Sequence, residues 1–304
     1  MNLSIPLCGL ELKNPIITAS GTFGYGLEFA NYGDLSSLGG IVVKGLSLQP
    51  RQGNAQPRML ETSCGFLNSI GLQNIGVQDF VQEKLPLLPW QKTAIIANLY
   101  AQSRDEFAEL AQYLCQQPGI AALEVNISCP NVKSGGLQFG QDPDAAYQAC
   151  AAVKSQAGDK PVIIKLTPNV GEITAIAQAV QEAGADCISL INTLQGMAVD
   201  IRTRKPKLKT LYGGLSGPAI KPVALRMVHQ VCSKVSIPVI GVGGISSAED
   251  ILEFMLVGAQ AVQVGSANFI RPDMSFRLVQ ELQNLCQELG LSSWEEIRGR
   301  LDAE

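Results

Sequence analysis

Six residues in this chain carry chemistry at places where a plain core residue would serve folding as well. Lys44 ends the apolar run 39-GGIVVKG-45, and Lys165 ends 161-PVIIKL-166. Asn98, Asn126 and Asn192 each close another such run, and Cys129 follows Asn126 in 121-AALEVNISCPNVKSGG-136. An ammonium at the end of a buried strand is strongly disfavoured unless it meets a partner. Two lysines so placed, with three asparagines at equivalent points, therefore predict a polar ligand site rather than strand ends that merely reach solvent. Asparagine offers a donor and an acceptor together, as the edge of a heterocycle requires. A cysteine between a strand end and a proline, with a glycine pair beyond it, is suited to exchange a proton with a bound ligand.

The elements that must position these residues follow a rhythm of short Val/Ile/Ala-rich runs, polar turns and longer amphipathic stretches. Strands are predicted at about 14–19, 39–45, 93–99, 121–127, 161–166, 185–191, 237–243 and 260–266. Helices are predicted at 77–88, 103–117, 143–156, 171–184, 219–234, 246–258 and 271–290, with a short one at 292–301 and with Ser103, Asp142 and Ser246 as caps. Eight strands alternating with helices predict an α/β fold, a closed (β/α)8 TIM barrel. Residues 2–13 are expected to form an N-terminal hairpin under the barrel floor. The stretch 193–218 is too long for a simple loop and is expected to lie, with other inserted loops, over the C-terminal face. An open doubly wound sheet is disfavoured, since no Gly-x-Gly-x-x-Gly follows the first strand. The chain, 1–304, reads as one domain.

In such a barrel the working groups sit at the C-terminal strand ends. The last two ends, 241-GVGGISSAED-250 and 264-VGSANF-269, suit a phosphate: glycines let the backbone approach an anion and a helix N-terminus follows. That pattern fits a phosphosugar or a flavin mononucleotide. A lysine poised to meet negative charge on a reduced ring tilts the choice toward flavin.

Composition narrows the class. The 304 residues are 46% hydrophobic and 16% charged, enough to build a large core, and the net charge of -4 opposes a general nucleic-acid or anionic-membrane surface. The N-terminus has neither a signal-peptide pattern nor a long apolar span, so the expectation is a soluble, cytoplasmic protein. The eight cysteines include no Cys-x-x-Cys, which argues against a metal or iron–sulfur site and for reduced, mostly buried thiols. His229, the single histidine, falls in a helical run without an acidic neighbour and reads as a surface residue.

The runs NISCPNVKSGGLQFG, ASGTFG, VVKG, LNSIGLQN, KLTPNV, INTLQG, GGLSGPAIKPVAL, GVGGI and VGSANF together resemble dihydroorotate dehydrogenase, in particular the catalytic subunit of its two-subunit, NAD-linked bacterial class. The resemblance spans about residues 4–270. It implies FMN across the barrel mouth, touched by Ala19, Ser20, Gly21, Lys44, Gly45, Asn98, Asn126, Lys165, Ile191 and Gly217, with its phosphate on Gly243, Gly244, Gly265 and Ser266. It also implies dihydroorotate held by Lys44, by Asn68, Ser69, Ile70, Gly71 and Leu72, and by Asn126, Asn192 and Thr193, with Cys129 as the base that helps form orotate. A partner subunit carrying FAD and an iron–sulfur cluster is implied as the route to NAD+, in a heterotetramer built on a homodimer.

Two departures from the family pattern stand out. Ile75 occupies a position where the family often has proline, and Cys64 places a second thiol near the substrate loop, read here as a small packed residue. The single-subunit, fumarate-reducing class shares the cysteine and is the alternative. The flavin-dependent tRNA dihydrouridine synthases also join an asparagine to Cys-Pro, but they need an RNA-binding surface that an acidic chain does not offer.

Overall fold

The structure, a computed structural model, describes residues 1–128 and 139–302. Its centre is a closed barrel of eight parallel strands: Ile16–Thr18, Gly40–Val42, Ala94–Leu99, Ala122–Asn126, Val162–Lys165, Cys187–Leu190, Val239–Val242 and Ala261–Val264. Every strand pairs with its neighbours in chain order, and the eighth closes on the first through Val262–Ile16 and Val264–Thr18. All eight lie within the predicted runs. They were readable because a barrel strand is covered on both faces, by the interior and by the helices, so it appears as an unbroken apolar run.

Helices Arg104–Cys115, Pro143–Lys154, Ile173–Glu182, Lys221–Cys232, Ala248–Leu256 and Met274–Glu288 surround the barrel. Ser103 caps the first by accepting from the Glu106 N–H, and Asp142 caps the second by accepting from Ala145 at 2.8 Å. Two expectations are corrected. The helix expected at 77–88 is broken into an α-turn at Val77–Asp79, a π-turn at Phe80–Lys84 and a 3-10 turn at Leu85–Leu87. Pro86 and Pro89 lack the N–H groups that a continuous helix would use. The cap of the helix at 248–256 is Ser247, not Ser246, and it forms a reciprocal capping box with Asp250.

The hairpin Ile5–Leu7 with Leu10–Leu12 forms as expected, and the Gln260 side chain, just before the eighth strand, donates to the Pro6 carbonyl at the floor. The expected helix at 292–301 reduces to one turn, Trp294–Glu296, whose Trp294 indole donates to the Ser4 carbonyl at 3.3 Å.

The excursion at 193–218 is a sheet rather than a loop. Leu194–Gly196 and Gly213–Ser216 join Gly65–Asn68 and Met59–Thr62 in a four-stranded antiparallel sheet, while Val199–Asp200 and Lys205–Pro206 form a separate small ribbon. Two distant insertions thus fold together and carry the ends of both toward the barrel mouth.

Candidate functional site

Beneath the mouth, five buried polar side chains from five different strands meet. Glu124, fully buried, accepts from Asn98 Nδ2 at 2.7 Å, from Ser189 Oγ at 3.0 Å and from the Gln263 side-chain amide. Lys165 Nζ donates to Gln263 Oε1 at 3.0 Å and lies 3.6 Å from Glu124 Oε1. The fourth and eighth strands stand on opposite sides of the barrel, so a Glu124–Gln263 bond can only cross its interior. The partner that a buried Lys165 requires is therefore Glu124. Neither Glu124 nor Gln263 was singled out from the sequence. The signal was available: each is a polar residue in an otherwise apolar strand, LEV and VQV, and the argument applied to the lysines applies equally to them.

Above this layer a cavity open to solvent is lined by Ala19, Ser20, Lys165, Ile191, Asn192, Thr193, Gly217, Gly243, Gly244, Gly265 and Ser266. Most of the expected cofactor residues and two of the expected substrate residues thus share one wall. Asn98 and Gly45 lie close together: a Cβ on Gly45 would stand 2.9 Å from Asn98 Oδ1. That oxygen is buried without a hydrogen-bond partner, as is Thr18 Oγ1. Lys44 faces a larger neighbouring cavity with Tyr25, Arg51, Gln73 and Asn74. Burial pushes its ammonium below the ordinary lysine value and the Arg58 guanidinium adds to this, while Glu28 opposes it.

The turn at Gly243–Gly244 has positive φ at both residues, and a Cβ on Gly244 would stand 2.8 Å from Lys221 Cβ and 2.9 Å from the Gly217 carbonyl oxygen. Glycine is thus required there for close approach. The residues just before the helix that follows are held by its own first turn. The Asp250 carboxylate already accepts from the N–H groups of Ser246 and Ser247, at 2.7 and 3.0 Å. Asp250 in turn holds Lys221 Nζ at 2.5 Å. Burial pushes its carboxyl up, but the Lys221 and Ser246 bonds outweigh this and hold it below the ordinary aspartate value.

At the ends of the fourth and sixth strands, Asn126 Oδ1 accepts from Ser128 N–H at 3.1 Å and from Asn192 Nδ2 at 3.4 Å. Asn68 Nδ2 donates to the Gly214 carbonyl at 3.3 Å, and Thr193 packs on Gly214 from the other side. Asn169, which the sequence reading passed over inside KLTPNV, donates to the Thr193 carbonyl at 3.0 Å and accepts from Gln195 N–H at 2.8 Å. The loop at Ser69–Leu72 is held from outside: Asn54 Nδ2 donates to the Ser69 carbonyl, and Asn54 N–H donates to the Ile70 carbonyl. Gly71 and Leu72 adopt positive φ. Ile75 N–H donates to the Tyr25 hydroxyl at 3.1 Å, a bond that proline could not make. Gly21 also adopts positive φ.

Cys129 lies outside the described residues. Cys64, expected to be packed, is exposed, because it sits at the tip of the Met59–Asn68 hairpin. Of the described cysteines only Cys150, Cys187 and Cys286 are buried. His229 is on an exposed helix face, as expected. Among the described residues no group of His, Cys, Asp and Glu is arranged to hold a metal, and no helix is long and apolar enough to cross a membrane.

Comparison with known proteins identifies the family. The family model described as dihydroorotate dehydrogenase matches residues 2–286. The chain is 65% identical over 301 residues to the dihydroorotate dehydrogenase B (NAD(+)) catalytic subunit of Solidesulfovibrio magneticus, covering 99% of this chain and 98% of that one. It is 59% identical to the protein of the same name from Maridesulfovibrio salexigens, covering 99% of each, and 53% identical to that of Geotalea uraniireducens, covering 99% and 98%. With a match that runs from the floor hairpin into the last barrel helix, this chain belongs to the dihydroorotate dehydrogenase family.

Proposed function

We propose that this chain is the catalytic subunit of an NAD+-linked dihydroorotate dehydrogenase, oxidising dihydroorotate to orotate for pyrimidine synthesis. The observation that carries the proposal is the meeting, at one barrel mouth, of Lys165, the Asn126–Asn192 pair and Thr193 with the glycine-bearing turns of the last two strands. The names of the relatives favour it over the fumarate-reducing and tRNA-modifying alternatives.

The residues fit a flavin. Asn98 Oδ1 and Thr18 Oγ1 are buried and unpartnered, and the Gly217–Gly244 approach leaves room only for backbone beside a ligand. Ala19, Ser20, Gly21, Lys44, Gly45, Asn98, Asn126, Lys165, Ile191 and Gly217 would hold FMN, and Gly243, Gly244, Gly265 and Ser266 its phosphate. FMN, when bound, supplies the acceptor for the hydride that leaves C6 of dihydroorotate.

Lys44 and the asparagines fix the substrate carboxylate and ring amides, which limits the reacting groups to one orientation. Asn192 can present its amide to the substrate because Asn126 orients it. Cys129, as thiolate, takes the proton from C5 and so leaves the C5–C6 double bond of orotate. Lys165 places positive charge where the ring gains negative charge. The chain functions as one domain in the cytoplasm, as a homodimer, joined to a partner subunit with FAD and an iron–sulfur cluster in a heterotetramer.

The test is the visible spectrum of the purified chain, recorded anaerobically before and after adding dihydroorotate. A yellow protein that bleaches supports the reading. A protein that neither carries nor takes up FMN overturns it, and a yellow protein that does not bleach overturns the substrate. Efficient NAD+ reduction by the chain alone would overturn the need for a partner.

A further inference from the structure

The polar layer under the mouth contains a carboxylate that the reaction described above does not use. We propose that Glu124 is a positioning residue for Lys165: it holds the ammonium against the barrel axis and balances its charge, and thereby sets how strongly the site favours a reduced flavin. The inference rests on the flavin reading of the site.

The geometry leaves Glu124 no other evident task. Its two oxygens receive Asn98, Ser189 and Gln263, three neutral side chains from the third, sixth and eighth strands, and the fourth group beside them is the Lys165 ammonium. Lys165 is itself committed on one side to Gln263 Oε1, and Gln263 is committed to Glu124, so the three side chains form a closed ring of contacts. Lysine has three N–H donors. Glu124 and Gln263 take up the inward side, and Lys165 also lines the mouth cavity, which leaves a donor for a ligand there. A flexible lysine stem by itself would not hold such an aim.

Charge is the second consequence. A Lys165 ammonium alone at the base of the mouth would favour an anionic ring strongly. With Glu124 3.6 Å away, the pair presents a dipole rather than a full charge. The reduction equilibrium of a bound flavin is therefore expected to depend on a residue that sits below the cofactor layer.

The experiment uses the FMN-loaded protein and measures its two-electron reduction potential. Glu124→Gln is expected to favour the reduced form at least tenfold, a shift of about 30 mV to more positive potential for a two-electron couple. A Glu124→Gln protein that binds FMN with an equilibrium within twofold of the parent would overturn the proposal. Should that variant fail to fold, Lys165→Met is compared with the double variant Glu124→Met/Lys165→Met. Removing the cation alone is expected to shift the equilibrium at least tenfold toward oxidised flavin, and removing the carboxylate as well is expected to bring most of it back. Equal potentials for the single and double variants would overturn the proposal. Failure of the parent protein to bind FMN is a separate result and sinks the flavin reading instead.

Discussion

Asn192 Nδ2 donates to Asn126 Oδ1 at 3.4 Å, joining the end of the sixth barrel strand to the end of the fourth. The two residues are 66 positions apart and meet only because the fifth strand, which ends in Lys165, lies between them in the closed barrel. Asn126 is further oriented by the Ser128 N–H, and Ser128 Oγ donates to the Lys165 carbonyl at 3.0 Å. The three strand ends are thus tied into one unit on which a planar ligand can rest.

We assign the proton acceptor to Cys129. Cys129→Ser is expected to slow reduction of the bound flavin by dihydroorotate at neutral pH by roughly 10²–10⁴-fold, the usual contribution of a general base. FMN content should stay the same. Stopped-flow absorbance of the flavin reads both quantities, and an unchanged rate would refute the assignment. The exposed Cys64 thiol must be replaced first in any labelling experiment, since it will react ahead of the buried cysteines.

Loss of Lys165 should cost more than cofactor contact. Lys165→Ala leaves the Glu124 carboxylate buried without its cation, a change worth about 3–5 kcal/mol in other buried pairs. Chemical denaturation is expected to show that loss together with weaker FMN retention. A fully flavinylated variant of parental stability and activity would contradict the role of this residue.

Gly214 lies in the strand that pairs with both Leu194–Gly196 and Gly65–Asn68. A Cβ there would stand 2.1 Å from Thr193 Oγ1, so Gly214→Ala must displace Thr193. If Thr193 holds the substrate as proposed, its displacement is expected to raise KM for dihydroorotate on the order of tenfold while leaving FMN bound. Steady-state kinetics and the flavin spectrum separate the two effects; loss of flavin with unchanged KM would be the contrary result.

The Asp250–Lys221 pair predicts how stability varies in acid. The folded Asp250 carboxyl is held below its ordinary value of 3.8, so its contribution is fully present above pH 3.8 and is lost as pH falls through the folded value. The parent protein should therefore lose more stability than Asp250→Asn as pH is lowered from 6 toward 3. Urea midpoints at a series of pH values test this, and parallel curves would contradict it.

The barrel could be read from the chain because each of its parallel strands is covered on both faces and must be apolar, and because Ser103 and Asp142 mark helix starts by local hydrogen bonds. Lys44, Lys165 and the strand-end asparagines stood out for the same reason: a polar residue in an apolar run carries a free-energy penalty that demands a partner. Which partner they meet is not a local property. Glu124 and Gln263 are 139 positions apart and touch only across the closed barrel axis, and the sheet shared by 59–68 and 194–216 depends on pairing between glycine-rich segments without a clear alternating pattern. The exposure of Cys64 and the Ser247–Asp250 capping box, by contrast, follow from a hairpin tip and from contacts only three or four residues apart. Local physics thus specified the elements and marked the residues under strain, while closure of the barrel decided which of them meet.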